Sequence, residues 1–320
     1  MFFEGSEKKV EVVVNSSQSL LNREESFWHK LVNSCGAQII SSIKSNCCKA
    51  FLLSESSLFV WKDRIVLITC GVTTLAHAVE FFIKNLDGSI ENIIFERKNE
   101  VFPRQQMTTF NEDVDLITRF TPGQSFLFGN LEDHHLLLFH KNSPYVPLDE
   151  DVTLEVLMYG IKGRAKKVFE DENLTANQIR EFTGVGQIFD GFLIDDYKFE
   201  PKGYSLNALK GQFYFTIHVT PQEIGSYVSF ETNYKIEGSY SKVVERVIGI
   251  FEPSSFDVVV FKTKEPEFVD VKDFGAVCAQ HQTLECGYEV FYSQFVQGVE
   301  TTVGINKQLK SATEITELNV

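Results

Sequence analysis

The sequence lacks a long apolar run and any excess of positive charge. Its apolar segments are short, such as residues 65–69, and none approaches the about 18 residues that span a bilayer. It contains 30 Lys and Arg against 44 Asp and Glu, which gives a formal net charge of −14. Because nucleic-acid affinity rests mainly on phosphate neutralisation by clustered cations, we expect no nucleic-acid partner. Because the apolar runs are short, we also expect no membrane partner.

The sequence also lacks the usual marks of a disulfide framework or a metal site. Its six cysteines include no Cys-x-x-Cys pair, and the first residues do not follow the charged-then-apolar order of a signal peptide. These features predict a reducing, cytoplasmic location and no bound metal. A Gly-rich phosphate loop, a His-Glu-x-x-His motif and a Ser-His-Asp spacing are missing too, which argues against three common classes of enzyme.

Strand-forming residues, in contrast, are abundant, and Phe alone occurs 29 times. Aromatic and β-branched runs, many of them alternating with polar residues as in sheets with one covered face, predict strands at 9–14, 38–43, 51–61, 64–69, 93–97, 135–140, 153–160, 192–199, 212–219, 226–232, 256–261 and 289–296. Helical periodicity is confined to 25–34, 73–85, 176–182 and 241–251. The order strand, amphipathic helix, strand occurs at 58–97 and again at 226–261, which indicates an internal duplication.

Six short motifs follow one another between residues 2 and 233. They are Phe2-Phe3-Glu4-Gly5-Ser6-Glu7-Lys8, Leu52-Leu53-Ser54-Glu55-Ser56-Ser57-Leu58-Phe59-Val60, Thr69-Cys70-Gly71, Gly203-Tyr204-Ser205-Leu206-Asn207, Thr216-Ile217-His218-Val219-Thr220-Pro221 and Tyr227-Val228-Ser229-Phe230-Glu231-Thr232-Asn233. In this order and spacing, they resemble the eukaryotic-type S-adenosylmethionine decarboxylases, which are pyruvoyl enzymes made as proenzymes. The Ser-Glu-Ser-Ser run taken alone would be typical of a polar β-turn.

This resemblance implies a fold and a maturation step. The implied fold is α+β, a four-layer α/β-β/α sandwich of two antiparallel sheets flanked by helices, with internal duplication and a single domain over residues 1–320. The chain is expected to cut itself between Glu55 and Ser56 into a β chain, residues 1–55, and an α chain, residues 56–320. The cofactor would be a pyruvoyl group derived from Ser56, because decarboxylation of an amino acid needs an electron sink that no ordinary side chain supplies.

The resemblance also assigns catalytic roles. His218 is expected to remove the α-proton of the esterified Ser56, with Ser205 assisting the preceding step, although a lone strand histidine is more often structural. Glu7 is linked to processing and Glu4 to the active site; the alternative for both is a solvated strand edge. Cys70 is expected to return a proton to the substrate, with its thiol pKa drawn towards neutrality by a nearby helix N-terminus.

Substrate-binding residues follow from the same comparison. Phe3 and Phe199 match the rings that enclose adenine, and the backbone around Leu53 and Glu55 would read its edge. The family has a glutamate for the ribose hydroxyls directly after the Thr-Pro of the His218 strand. Here that position is Gln222, with Glu223 following, so either the amide replaces the carboxylate or Glu223 takes its place.

A second set of acids, Glu11, Asp151, Glu155 and Glu231, resembles the putrescine site of animal-type members. Its alternative interpretation is a group of ordinary strand acids in an acidic chain. The family lysine two residues before the Cys70 position is Ile68 here, which predicts weaker activation by putrescine. The resemblance leaves a homodimer and a heterodimer with a paralogue open as assemblies.

The function implied is decarboxylation of S-adenosylmethionine to the aminopropyl donor for spermidine and spermine synthesis. Two alternatives stay open from the sequence: a pyruvoyl decarboxylase that acts on another amino acid, and a weakly active regulatory paralogue. The presence of Ser56, Cys70 and His218 argues against the paralogue, whereas Gln222 leaves the other amino acid open.

Overall fold

A computed structural model describes residues 3–143, 145–236, 239–264, 269–302 and 310–315 of the chain. These residues belong to two compact units. Unit 1 consists of Met1–Gly5, Pro147–Leu284 and Tyr288–Ala312, and unit 2 of Ser6–Val146, Glu285–Gly287 and Thr313–Val320. Among the helices of the described ranges, none combines the length and the apolar character that crossing a bilayer requires.

Unit 2 is built on one nine-stranded sheet with three helices. Its strands are β1 (Lys8–Ser16), β2 (Ile39–Lys44), β3 (Lys49–Leu53), β4 (Ser56–Val60), β5 (Arg64–Thr69), β6 (Gly88–Lys98), β7 (Gly123–Gly129), β8 (His135–Lys141) and β18 (Thr313–Glu314), and its helices are α1 (Glu25–Ser34), α2 (Leu75–Lys84) and α3 (Phe110–Thr118). The strand order is β18-β7-β8-β6-β1-β5-β4-β3-β2, and every described pair is antiparallel.

Unit 1 repeats this plan. Its strands are β9 (Thr153–Tyr159), β10 (Leu193–Lys198), β11 (Tyr204–Lys210), β12 (Phe213–Thr220), β13 (Tyr227–Thr232), β14 (Ser255–Lys262), β15 (Phe274–Thr283), β16 (Glu289–Gln297) and β17 (Lys310–Ser311), and its helices are α4 (Gly163–Glu170), α5 (Ala176–Thr183) and α6 (Tyr240–Phe251). The order is β10-β11-β12-β13-β9-β14-β16-β15-β17, antiparallel except for β17 beside β15.

The two strand orders are the same when one is reversed. β1 lies between β5 and β6, which α2 connects, and β9 lies between β13 and β14, which α6 connects. The hairpin β3–β4 corresponds to β11–β12, and each closes through a two-residue turn, 54–55 in one and 211–212 in the other. This agreement confirms the expected α+β class with two antiparallel sheets and internal duplication.

Each sheet buries one face under the helices of its own unit. In unit 2 the helical residues Trp28, Val79 and Phe82 pack against alternate strand residues such as Val10 and Leu67. Burial of such side chains stabilises each unit by about 1.5–3 kcal/mol per residue. In unit 1 the helix α6 buries Val244, Val247, Ile248 and Phe251, spaced as one helical face, in the same way.

The opposite face of each sheet is unusually polar for buried surface. Because side chains alternate along a strand, this face presents Lys9 and Glu11 on β1, and Glu155, His218 and Glu231 on the strands of unit 1. All five residues are buried. Buried charges are rarely tolerated without partners, so these faces are where function is expected.

Candidate active site

The first part of the site is the tight turn between β3 and β4. Ser54 and Glu55 form the turn, and Ser56 opens β4 opposite Leu53 on one side and Thr69 of β5 on the other. Ser56 is buried and has a φ of 132°, a backbone conformation that residues with a side chain rarely adopt. The run predicted as one strand over 51–61 is therefore two strands, with the bend directly before Ser56.

The carbonyl of Glu55 is held by two donors from one residue. The backbone N–H of Cys70 donates to the Glu55 oxygen over 2.8 Å, and the Cys70 Sγ lies 3.2 Å from the same oxygen. Cys70 reaches it because Thr69, its neighbour, pairs with Ser56 across the β4–β5 ladder. Donors placed in this way stabilise negative charge that develops on a carbonyl oxygen.

Burial dominates the protonation of this region. It raises the pKa of Cys70 well above its ordinary value, an effect that the charges of Glu55 and Glu7 strengthen and that of Lys8 opposes. Burial also raises the pKa of Glu55 to about 7. The expected lowering of the Cys70 pKa does not occur, because α2 begins only at Leu75 and desolvation of the thiolate outweighs its field. The thiol therefore keeps its proton at neutral pH.

Lys8 supports the segment that follows Cys70. Its Nζ donates to the carbonyl of Gly71 over 3.1 Å and to Oε1 of Gln106 over 2.7 Å, and it lies 4.0 Å from Glu100. The side chain is buried, and desolvation lowers its pKa. Sequence reasoning did not select Lys8 as a site residue; the available signal was its place at the start of a strand, next to the apolar run of β1.

In unit 1, Ser205 and His218 form a hydrogen-bonded pair. They lie directly opposite on β11 and β12, with Ser205 Oγ 2.8 Å from His218 Nδ1. His218 Nε2 is 3.0 Å from Thr216 Oγ1, which in turn donates to Asn207 Oδ1 over 3.0 Å. Because the Thr216 hydroxyl proton is used on Asn207, Thr216 accepts from Nε2–H, and Nδ1 is left with a lone pair towards Ser205.

The imidazole of His218 stays neutral, because burial lowers its pKa to about 3. A neutral ring with a lone pair on a defined nitrogen is what a proton acceptor requires. Asn207 and Thr216, which set this tautomer, were not selected from the sequence. Their signal is the spacing of two residues from Ser205 and His218, which places all four on one sheet face.

The residues expected to contact the substrate are distributed over both units. Phe3 belongs to unit 1, where Gln222 binds both its backbone N–H and its carbonyl, and Phe199 lies half-buried before Gly203 in the same unit. Glu223 is exposed. Glu4, Glu7 and Leu53 are buried; Glu4 lies in unit 1, and Glu7 and Leu53 lie in unit 2 together with Glu55.

The acidic residues of the expected putrescine site belong to both units. Glu155 and Glu231 of unit 1 are direct cross-strand partners on β9 and β13, and the hydroxyl of Tyr214 donates to Glu231. Asp151, also in unit 1, accepts from the backbone N–H of Leu148 over 3.3 Å. Glu11 lies in unit 2, 3.4 Å from Nη1 of Arg64.

The position of the absent family lysine is also defined. Ile68 is buried in β5 directly opposite Lys9 of β1, and Lys9 Nζ lies 3.7 Å from Glu96 Oε1. A cation is therefore present on the strand next to Ile68.

Comparison with known proteins decides the family. The family described as adenosylmethionine decarboxylase matches residues 1–296. The chain belongs to the adenosylmethionine decarboxylase family. It is 36% identical over 278 residues to the S-adenosylmethionine decarboxylase proenzyme of Trypanosoma brucei brucei, covering 81% of this chain and 75% of that protein. The proenzyme of Drosophila melanogaster is 35% identical, over 82% of this chain and 83% of that protein.

The structural comparison agrees. A crystal structure of a Trypanosoma brucei AdoMetDC-delta26 monomer matches with a TM-score of 0.59 and 30% identity, over 75% of this chain and 98% of that chain. Adenosylmethionine decarboxylases are carboxy-lyases, so the enzyme class inferred from the motifs is confirmed, and the alternative of another amino-acid substrate is not favoured.

An adenosylmethionine decarboxylase made as a proenzyme implies a pyruvoyl cofactor, and the residues of unit 2 fit such a group. A buried serine follows a carbonyl that the Cys70 N–H and Sγ hold in place.

Proposed function

We propose that this chain is a proenzyme that cuts itself between Glu55 and Ser56 and then converts S-adenosylmethionine to the aminopropyl donor for spermidine and spermine synthesis. The observation that carries the proposal is the Glu55 carbonyl, held by the Cys70 N–H and Sγ at 2.8 and 3.2 Å next to a buried serine of positive φ. An ordinary β-turn serine needs none of these features.

Processing would begin with attack of the Ser56 hydroxyl on the carbonyl carbon of Glu55. The Cys70 donors would stabilise the charge that forms on the carbonyl oxygen, and expulsion of the Ser56 nitrogen converts the peptide to an ester. Removal of the Ser56 α-proton then expels the Glu55 carboxylate by β-elimination. Water replaces the remaining nitrogen, which leaves as ammonia, and residue 56 becomes the pyruvoyl group.

The Ser205–His218 pair is proposed to serve these proton transfers. Its support is the neutral imidazole, whose pKa lies near 3, and the Thr216–Asn207 contact that directs the Nδ1 lone pair to Ser205. We assign to His218 the removal of the Ser56 α-proton and to Ser205 a supporting role in the first step, as the family resemblance implies. The same resemblance assigns Glu7 to processing and Glu4 to the active site.

In turnover, the pyruvoyl group supplies a carbonyl that accepts the electrons left when carbon dioxide departs. Cys70, whose thiol stays protonated because burial raises its pKa, is proposed to deliver the proton that replaces the carboxyl group. Phe3 and Phe199 would stack on adenine, with the backbone at Leu53 and Glu55 at its edge. Gln222 or Glu223 would take the ribose contact that the family resemblance implies.

We also propose that Glu11, Asp151, Glu155 and Glu231 respond to putrescine. Glu155 and Glu231 are buried side by side, and a dication would relieve the repulsion between two ionised carboxylates. Because Ile68 stands at the position of the family lysine, we expect a modest response.

Intact mass spectrometry of the purified protein tests the self-cleavage. From a mass of 36.5 kDa and 320 residues, we expect chains of about 6 and 30 kDa. Ser56→Ala should remain uncut, and His218→Ala should accumulate an ester that hydroxylamine cleaves. A wild-type chain that stays whole after long incubation, and releases no carbon dioxide from S-adenosylmethionine, would refute the proposal.

A further inference from the structure

Gln222 makes a pair of hydrogen bonds that its position in the family would not suggest. Its Oε1 accepts from the backbone N–H of Phe3 over 3.0 Å, and its Nε2 donates to the carbonyl of Phe3 over 2.5 Å. The two residues are separated by 219 positions in the chain. The amide oxygen accepts and the amide nitrogen donates, so one side chain pairs with both backbone groups of Phe3, as a neighbouring strand would.

A second contact anchors the same segment. A Cβ placed on Gly5 would come within 2.8 Å of Thr220 Oγ1 and 3.0 Å of Tyr227 Cβ, so only glycine allows this approach. Thr220 ends β12, the strand of His218, and Gln222 follows it by two residues. The segment from Phe3 to Gly5 thus lies against the end of β12, the start of β13 and the connection between them.

We propose that Gln222 is a positioning residue that fixes Phe3 for stacking on adenine, and that nucleoside recognition in this chain depends on this clamp instead of on a ribose contact at position 222. The proposal rests on the proposed function, because it takes Phe3 as the adenine-stacking residue. Phe3 is 40% exposed, so packing alone does not fix the position of its ring. The hydrogen bonds of its backbone to Gln222 therefore matter more for that position.

The chemistry separates glutamine from the glutamate of the family. A carboxylate at neutral pH has acceptors only, so it would keep the bond from the Phe3 N–H and set a negative oxygen against the Phe3 carbonyl. A protonated carboxyl group would restore the donor. Ionisation strengthens the hydrogen bonds between a glutamate and ribose hydroxyls, whereas it weakens the hydrogen bonds of a glutamate in this clamp. The two roles therefore predict opposite effects of pH on ligand affinity.

The first experiment measures the clamp without ligand, by limited chymotrypsin cleavage after Phe3 followed by mass spectrometry. We expect Gln222→Met and Gln222→Glu to be cleaved about tenfold faster than wild type at neutral pH, with Gln222→Glu approaching wild type at pH 5. Gln212→Glu, the same change at the exposed turn at the other end of β12, is the matched control and should not differ from wild type.

The second experiment measures binding of 5′-methylthioadenosine and of its 2′-deoxy analogue by calorimetry. Gln222→Glu should bind the first ligand about five- to twentyfold more weakly at pH 7.5, with partial recovery at pH 5. The affinity ratio of the two ligands should be the same in wild type and Gln222→Met. A ratio that falls to one in Gln222→Met, or tighter binding by Gln222→Glu, would overturn the clamp and identify a ribose contact.

The two proposals fail in different ways. Equal chymotrypsin cleavage of wild type and both Gln222 variants overturns the clamp even in an active enzyme. Absence of decarboxylation by a protein in which the variants are cleaved faster overturns the proposed function and leaves the Phe3 contact intact.

Discussion

At the scale of single residues, Cys70 combines two contributions that mutation can separate. Its backbone N–H and its thiol both hold the Glu55 carbonyl, and the thiol is in addition the proposed proton donor in turnover. The raised thiol pKa arises mainly from burial, and the positive charge of Lys8 opposes that rise. The backbone hydrogen bond remains in Cys70→Ala, but the thiol and its proton are lost.

Cys70→Ala keeps the backbone donor and should therefore still cut itself, more slowly than wild type, and its turnover should fall by about 10²–10⁴ because a general acid is missing. We expect it to lose activity progressively during turnover, as the proton reaches the wrong atom. Carbon dioxide release and intact mass, followed over time, measure both effects. Cys47→Ala, at an exposed cysteine, is the control. Wild-type turnover in Cys70→Ala would show that another group delivers the proton.

His218 makes stability depend on pH. Its pKa is about 3 in the folded protein against 6.5 ordinarily, so between these values the unfolded chain binds a proton that the folded chain does not. The contribution of the neutral His218 to the free energy of unfolding is complete above pH 6.5 and is lost as the pH falls towards 3. Between pH 6.5 and 5 this amounts to about 2 kcal/mol.

Urea unfolding of the uncut Ser56→Ala protein at pH 7 and pH 5, with and without His218→Gln, isolates this effect. We expect the second variant to lose less stability on acidification than the first. Glu55, whose pKa is raised to about 7, acts in the opposite direction in both proteins, so only the difference is informative. Equal losses would show that His218 is not desolvated.

At the scale of secondary structure elements, the proposed cut separates neighbours that remain bonded. The strands β1, β2 and β3 belong to the small chain, yet β1 lies between β5 and β6 of the large chain and forms ladders with both. The residues from Lys8 to Val14 are all buried. A central strand held on both edges cannot leave without opening the sheet.

The two chains should therefore elute together in size-exclusion chromatography in native buffer and separate in concentrated guanidinium chloride. The uncut Ser56→Ala protein should elute at the same native volume and stay in one piece in denaturant. A small chain that elutes separately in native buffer would contradict the strand order.

The elements also show what the sequence could and could not predict. The alternation of apolar residues predicted most of the strands. The order of the strands in the sheets was indicated only by the faint strand–helix–strand repeat. Helices α3 and α4 were missed because each buries few apolar residues, Phe110 and Ile117 in one, Ala165 and Phe169 in the other. The motifs supplied the candidate residues, but the Glu55–Cys70 contact depends on a strand register, and the Phe3–Gln222 contact joins residues 219 positions apart.

At the scale of the whole molecule, the charge of −14 and the acids of both units bear on the response to diamines. If putrescine acts through the proposed acids, Asp151→Asn with Glu231→Gln should abolish activation, measured as carbon dioxide release with increasing putrescine. Glu172→Gln with Asp190→Asn removes the same charge at exposed positions and should retain it. Activation that survives the first pair would place the diamine elsewhere.

The duplicated fold provides an internal comparison for the scissile turn. The corresponding turn of unit 1 begins with Gly211, whose φ of 62° costs glycine little. In unit 2 the positive φ falls instead on Ser56, at 132°, where a side chain makes it unfavourable by about 1–3 kcal/mol. The same hairpin is relaxed in one copy and strained in the other.

Relief of this strain favours one direction of the proposed acyl transfer. The φ of residue 56 is a rotation about a bond whose nitrogen is acylated by Glu55, and the transfer of that acyl group to the serine oxygen frees the nitrogen. An ester is ordinarily less stable than the amide it replaces, so the transfer is uphill in an unstrained chain. If the chain cuts itself as proposed, relief of the strain at residue 56 would offset part of this cost, so the fold itself would favour the first chemical step.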